Sequence, residues 1–168
     1  MRLSVAAFLA VGLAAAGSAQ GQLWAEVGDA PEVPVPGQIT FGLGPLTTIV
    51  GALATGLDAD MYCIVVTDPV AFSAKVTAGT LFDSQLFMFE LSGFGVNHND
   101  DAPGLASPFY SWIYAGGPAP GVPPPLPLVP GAAYGLAISG YNRDPVNPAG
   151  AFIWLNFPYG DQDRKSVV

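Results

Sequence analysis

The polar run at residues 97–101 contains the densest group of side chains that could do chemistry. Asn97, Asn99 and Asp101 stand at alternate positions, with a histidine and a further aspartate between them. If this segment forms a curled loop, the alternate oxygens can converge on one point, and Ca²⁺ takes about six to eight oxygen ligands. The run is also typical of an ordinary turn, because Asn and Asp favour turn geometry. Asn99, Asp100 and Asp101 are therefore one candidate calcium site, with a plain turn as the alternative.

Two further pairs of acids stand earlier in the chain. Glu26 is followed by Asp29, and Asp58 and Asp60 stand directly before an apolar segment that begins at Met61. Each pair alone is typical of solvated surface acids. If the fold brought the pairs together, their carboxylates would repel one another, and a divalent cation would turn that repulsion into stabilisation.

A catalytic role for the single histidine is the competing interpretation of the polar run. His98 could pair with Asp100 and with Ser92 or Ser107. Neither serine lies in a nucleophile elbow, so we expect His98 to be an exposed, non-catalytic loop residue. A glycosidase would need two carboxyl groups facing each other across a cleft, which a sequence does not place. A fragment of a secreted hydrolase, either a peptidase or a glycosidase, stays open as the alternative function.

The elements that must position these residues are predicted to be short strands. The chain has 21 glycines and 17 prolines, yet aromatic and β-branched residues recur between them. This combination indicates an all-β fold, specifically a jelly-roll-like β-sandwich, with tight loops and almost no helix. Eight segments are strand candidates: 22–27, 46–53, 60–67, 71–77, 85–90, 110–115, 134–139 and 151–157.

Two of these segments have informative patterns. Residues 60–67 are apolar at both alternating sets of positions, which predicts a strand that is covered on both faces. Residues 71–77 alternate, with Phe72, Ala74 and Val76 on one side. Cys63, the only cysteine, excludes an internal disulfide and is predicted to be a small buried residue.

The two ends of the chain differ from the body in composition. Residues 1–19 combine one positive charge, an apolar run and small residues at the end, which is the pattern of a secretory signal peptide. We expect a single domain over residues 20–162, with a stiff proline-rich surface loop at residues 117–131. Residues 163–168 match the translation of a common sequencing adapter, so we expect a non-native tail and a domain truncated of its last strand or strands.

The charge balance limits the classes of partner. The formal net charge is −8 at pH 7, with only 5 basic residues. Such a chain repels nucleic-acid phosphates and anionic lipid, so we expect no nucleic-acid partner. The apolar run near the N-terminus is short for a bilayer span, which predicts no membrane span in the mature chain. We expect a secreted monomer, extracellular or at the cell surface, whose partner is a surface polymer or a protein.

The order of several short motifs is similar to that of a known family. The segments 24–30, 58–62, 82–90, 93–96 and 99–101 read WAEVGDA, DADMY, FDSQLFMFE, GFGV and NDD. This series resembles the bacterial pre-peptidase C-terminal domain of exported proteins, including those with a PEP-CTERM sorting tail. The resemblance covers residues 24–160. Ser84 and Glu90 depart from the family pattern, which commonly has Thr and Asp there, and the closing Gly-x-Tyr strand is absent.

The resemblance implies a jelly-roll-like β-sandwich that has no catalytic activity of its own. Such modules accompany secreted peptidases or occur alone in exported and surface proteins. Related collagen-binding domains hold calcium, and the matching positions here are Glu26, Asp58 and Asp60. The sequence therefore predicts a non-catalytic secreted module, stabilised by calcium at this set or at the Asn99–Asp101 set, that binds or presents a partner outside the cell.

Overall fold

The computed structural model describes residues 21–32, 37–77, 83–100, 110–114, 128–141, 143–146, 149 and 153. This part of the chain is all-β, with no helix among the described residues. Its strands are β1 (Gln22–Ala25), β2 (Gln38–Ile39), β3 (Leu46–Val50), β4 (Ala59–Val66), β5 (Ser73–Lys75), β6 (Ser84–Glu90), β7 (Gly95–Asn99), β8 (Trp112–Tyr114) and β9 (Ala132–Gly140).

A five-stranded sheet forms the centre of the described structure. Its order is β2-β4-β9-β6-β7, with antiparallel pairing throughout except for the short parallel pair of β2 and β4. The register places Asp60 of β4 opposite Ile138 of β9, and Ile138 opposite Leu86 of β6. Asp60 thus lies in the ladder of a long central strand, where its side chain has a fixed direction.

Two small sheets contribute to the core on one face of the five-stranded sheet. β1 pairs with β3 in parallel, and β5 pairs with β8 in antiparallel orientation. Leu46 and Ile49 of β3 and Ile113 of β8 pack with buried side chains of the large sheet. The buried members of this core are Ala30, Tyr62, Ile64, Val66, Val76, Leu86, Met88, Val96, Ile113 and Tyr134.

The opposite face of the five-stranded sheet has a second, smaller core. Met61, Phe87, Phe89 and Ala137 are buried there, and Ile153 packs against them. Both faces of β4 and β6 are therefore largely covered. This confirms the prediction of a two-sided buried strand for residues 60–67, although Val65 near its end is exposed.

Each of the seven strand candidates between residues 22 and 139 overlaps a strand of the structure. In residues 71–77, Phe72 and Ala74 are half-buried and Val76 is buried, while the residues between them are exposed. The two-residue β2 was not predicted, and neither was β7. The curled loop expected at residues 97–99 is wrong, because these residues form the end of β7. Cys63, predicted to be buried, is only half-buried.

Several predictions fall on parts of the chain outside the described residues. These are the signal peptide at residues 1–19, most of the proline-rich stretch at 117–131, the tail at 163–168, and Asp101. The strand candidate at 151–157 is described only at Ile153. Among the described residues, the structure has no helix long and apolar enough to cross a membrane.

Candidate metal centre

Three acids from two segments, the turn after β1 and the start of β4, lie close together. Oxygen atoms of Glu26, Asp29 and Asp60 lie within 4.8 Å of one another. Asp60 is buried, Glu26 is half-buried and Asp29 is exposed, so the cluster runs from the interior to the surface. Within the described part of the chain, this is the one group of three such side chains close enough to hold a metal ion.

The chain path after β1 explains why these residues converge. The Glu26 amide donates to the carbonyl of Val50 at 2.8 Å, which extends the pairing of β1 with β3 to the acid itself. Gly28 then turns the chain with a φ of 70°, a backbone conformation that favours glycine. Beyond the turn, the carbonyl of Pro31 accepts a hydrogen bond from the Met61 amide at 3.0 Å. The segment that carries Asp29 is thus tied to β4 next to Asp60.

The Glu26 carboxylate is held by backbone donors on both of its oxygens. The Ala30 amide donates to Oε1 and the Ala52 amide donates to Oε2, each at 2.9 Å. One side chain therefore links the turn after β1 to the segment after β3. Each carboxylate oxygen retains acceptor capacity beyond one hydrogen bond, so Glu26 is positioned to act as a ligand as well.

Asp60 is the least exposed acid of the cluster, with a relative exposure of 1%. Its Oδ2 accepts a hydrogen bond from the Tyr62 hydroxyl at 3.3 Å, whereas its Oδ1 is buried without a hydrogen-bond partner. Burial, and after it the negative charges of Glu26 and Asp58, raise the pKa of Asp60 to about 7. Burial also raises the pKa of the Tyr62 hydroxyl above its usual range, with the Asp60 charge adding to the rise.

Asp58, one of the three acids matched by family resemblance, has a different position from the one expected. Its Oδ2 accepts a hydrogen bond from the Ala54 amide, and its Oδ1 accepts one from the Ala59 amide at 2.9 Å. Asp58 is buried and close enough to contribute to the raised pKa of Asp60, but it is not in the three-acid group. The third acid of the group is Asp29 instead. The sequence indicated it only by its position three residues after Glu26.

The second predicted site does not have the expected loop geometry. In β7, Oδ1 of Asn97 accepts the amide of His98, and Oδ1 of Asn99 accepts the amide of Trp112, each at 2.9 Å. These two amide oxygens therefore bond to backbone donors, and Asn99 links β7 to β8. Asp100 is half-buried and belongs to no group of three acids among the described residues.

The prediction that His98 is exposed is wrong. The register places it opposite Phe87, and its side chain is buried beside that ring, with 6.4 Å between the ring centroids. Burial lowers the pKa of His98 to about 4. At neutral pH it is therefore an uncharged core side chain.

The sequence matches no family model, and comparisons with curated proteins and with solved structures give no match. The similarity to the pre-peptidase C-terminal domain thus stays a prediction from its short motifs. What the chain can do follows from its own geometry, of which the three-acid cluster is the most specific part.

Proposed function

We propose that this chain is a non-catalytic, exported β-sandwich module, jelly-roll-like in type, which is stabilised by calcium and binds or presents a surface polymer or protein outside the cell. The observation that carries the proposal is the meeting of Glu26, Asp29 and Asp60, with one buried oxygen of Asp60 lacking a hydrogen-bond partner. The other parts of the proposal depend on sequence patterns: the leader-like residues 1–19 and the motif resemblance.

The electrostatics of the cluster favour a bound cation. Burying a carboxylate without a compensating partner is costly, and nearby like charges add to the cost. The pKa of Asp60, raised to about 7, reflects both contributions. A divalent cation reverses the sign of these interactions, because each carboxylate then attracts the ion at the centre instead of repelling its neighbours.

The donor set favours calcium over softer metals. All three side chains offer carboxylate oxygens, and the group contains neither imidazole nor thiolate. Hard oxygen ligands suit Ca²⁺ and Mg²⁺, whereas zinc and copper sites commonly use His or Cys. The three carboxylates come from two segments, and water would complete the coordination of either ion. Magnesium demands near-ideal octahedral geometry, whereas calcium accepts an irregular set of ligands, and this favours calcium.

Calcium at this position would stabilise a junction between elements. Glu26 follows β1, Asp29 lies in the turn after it, and Asp60 belongs to the central strand β4. An ion held by all three would fasten the β1–β3 sheet to the five-stranded sheet. A ligand that binds only the folded state stabilises it by RT ln(1 + [L]/Kd), which is about 1.4 kcal/mol at ~1 mM calcium and a Kd of ~0.1 mM.

The buried state of His98 supports a non-catalytic role. A general base has to reach the proton that it abstracts, whereas this imidazole packs against Phe87 inside the sheet. Incubating the purified protein with panels of peptide and glycan substrates tests this part of the proposal. Turnover that disappears when Asp60 or His98 is replaced would contradict it and favour the hydrolase alternative.

The calcium part is tested by thermal unfolding in chelator and in ~1 mM calcium. We expect calcium to raise the midpoint of the wild type by several degrees. Asp60→Asn has nearly the same shape but lacks the charge, so it should lose the calcium response. It should also be as stable as the wild type in chelator, or more stable, because one repelling charge is gone.

Glu90→Gln is the matched control, because Glu90 is an exposed acid at the far end of β6. It should keep the full calcium response. A wild-type midpoint that stays within about a degree on adding calcium would refute the site. Equal calcium responses in the wild type and Asp60→Asn would show that any bound ion lies elsewhere.

The export part is tested independently of calcium. Expression in a bacterial host followed by N-terminal sequencing of the secreted product should give a mature start near Gln20. An intact N-terminus retained in the cytoplasm would contradict export, whatever the result of the calcium experiment.

A further inference from the structure

Tyr62 brings a hydroxyl group to the acidic cluster from a fixed position in the sheet. It lies two residues after Asp60 in β4, and side chains two residues apart in a strand project from the same face. Its backbone is paired on both sides, with Gln38 of β2 and with Leu136 of β9. The side chain is buried and belongs to the larger core, so the close packing around it leaves the ring little room to move.

The Tyr62 hydroxyl lies beside two acids of the cluster. It donates to Oδ2 of Asp60 at 3.3 Å, and the Glu26 carboxylate also interacts with it. A Cβ added to Gly51 would collide with the hydroxyl oxygen and with Oε2 of Glu26 alike, so both groups face the same small space. One neutral donor is thus placed among negatively charged groups.

The hydroxyl serves these groups as a proton donor. Ionised carboxylates have no proton to give, and a phenol has one. Burial, together with the neighbouring negative charges, raises the pKa of Tyr62 above its usual range, so the phenol keeps its proton at neutral pH. Oδ2 of Asp60 accepts a hydrogen bond from this group, while Oδ1 is buried without a partner. The protein therefore holds one oxygen of Asp60 and leaves the other its full acceptor capacity.

Asp60 and Glu26 differ in what holds their carboxylates. Backbone amides of Ala30 and Ala52 hold Glu26 at both of its oxygens. Among the described residues, the Tyr62 hydroxyl is the one donor to the Asp60 side chain. Without this donor, repulsion by Glu26 would favour rotation of the Asp60 carboxylate away from the cluster, and calcium binding would first have to reverse that rotation.

We propose that Tyr62 is a positioning residue of the cation site, whose hydroxyl holds the Asp60 carboxylate in the orientation that binds calcium. This inference rests on the proposed function and adds a residue that does not itself contact the ion. Hydrogen-bonding partners that orient the ligands of a metal typically contribute a factor of about 10–100 to its affinity. Loss of this hydroxyl should therefore raise the calcium Kd by about that factor, although all three carboxylates stay in place.

The test compares two variants that each lose one buried hydroxyl. Tyr62→Phe removes the hydroxyl from the cluster and keeps the ring. Tyr134→Phe is the matched control, because Tyr134 is buried in the same core and its hydroxyl accepts a backbone amide, that of Val129, at 2.8 Å. Each variant loses one hydrogen bond within the core, so a merely structural effect would be similar in both.

Calorimetric titration of the full chain with calcium gives the Kd of each protein. The Kd of Tyr62→Phe should be about 10–100-fold higher than that of the wild type, and the Kd of Tyr134→Phe should be unchanged. Circular dichroism in chelator should show that both variants are folded. Ultraviolet absorbance of the wild type should show no tyrosinate band on adding calcium, because the phenol keeps its proton.

The possible failures are distinguishable. Equal Kd values for the wild type and Tyr62→Phe would overturn the inference and leave the calcium site intact. An unfolded Tyr62→Phe beside a folded Tyr134→Phe would also overturn it, because the hydroxyl would then support the fold. A tyrosinate band on adding calcium would overturn it by showing that Tyr62 is a direct ligand. A wild type that binds no calcium would refute the proposed function, and the inference with it.

Discussion

The backbone at Gly51 passes very close to the acidic cluster. A Cβ at this position would lie 2.4 Å from the Tyr62 hydroxyl oxygen and 2.6 Å from Oε2 of Glu26. Neither atom can stay where it is if that methyl group is added. Because the Ala52 amide next to Gly51 donates to the same Glu26 oxygen, the glycine and the hydrogen bond together position the carboxylate.

Gly51→Ala should therefore disturb the cluster. We expect a loss of about 1–3 kcal/mol in the free energy of unfolding, which is typical of overpacking, together with a smaller calcium response. Gly56→Ala is the matched control, because no atom lies within 4 Å of its added Cβ. It should be neutral or stabilising by about 0.4–1 kcal/mol. Urea unfolding of both variants measures the difference, and equal stabilities would show that the crowding at Gly51 relaxes at no cost.

A buried network of hydrogen bonds joins the segment after β9 to β6. Nε2 of Gln85 donates to Oδ1 of Asp144 at 3.0 Å, and Oε1 of Gln85 accepts the Arg143 amide at 3.2 Å. The Ser139 hydroxyl donates to the Arg143 carbonyl at 3.3 Å. Gln85, Ser139 and Asp144 are all buried, so these hydrogen bonds fix the return of the chain across the sheet.

Replacing the donor of this network by an acid should be costly. Gln85→Glu places a second carboxylate beside Asp144, and we expect a destabilisation of at least about 3 kcal/mol at neutral pH. Adding Asp144→Asn restores a donor–acceptor pair with the roles reversed, so the double variant should recover a large part of the loss. Urea unfolding of the two single variants and the double variant gives the coupling energy. If the loss of unfolding free energy in the double variant equals the sum of the losses in the two single variants, the direct hydrogen bond between Gln85 and Asp144 is contradicted.

The sequence predicted burial correctly for strands in which it follows from the pattern of their own side chains. The alternation at residues 71–77 and the apolar run at 60–67 predicted burial correctly because side-chain direction alternates along a strand. β7 was missed because Asn97, His98 and Asn99 are turn-type residues by local preference. Pairing with β6 and packing of His98 on Phe87 override that preference, and both depend on distant residues.

The candidate site was predictable only in part for a similar reason. The grouping of Glu26 with Asp60 followed from motif order, and the structure brings both residues together. The prediction included Asp58, whereas the structure has Asp29 in the group. The reason is the direction of the Asp58 side chain just before β4. There Asp58 turns back to accept the amides of Ala54 and Ala59. No spacing in the sequence shows which of two neighbouring acids caps the backbone.

Two buried groups make opposite contributions to the pH dependence of the stability of the whole molecule. His98 has a pKa of about 4 in the folded state against 6.5 for an ordinary histidine, so the unfolded chain binds more protons in this interval and stability falls as the pH falls. Asp60 has a folded pKa of about 7 against 3.8, so the folded state binds more protons there and stability rises as the pH falls. Each slope approaches about 1.4 kcal/mol per pH unit.

These two contributions should nearly cancel between about pH 4 and 6.5 in calcium-free buffer, and removing either one should expose the other. Asp60→Asn leaves only the histidine contribution, so its stability should fall more steeply on acidification than that of the wild type. His98→Gln leaves only the aspartate contribution, so its stability should fall less steeply or rise. Urea unfolding at several pH values across this interval measures the slopes, and the remaining acids contribute equally to all three proteins. Parallel pH profiles for the wild type and both variants would show that neither group titrates as its buried position requires.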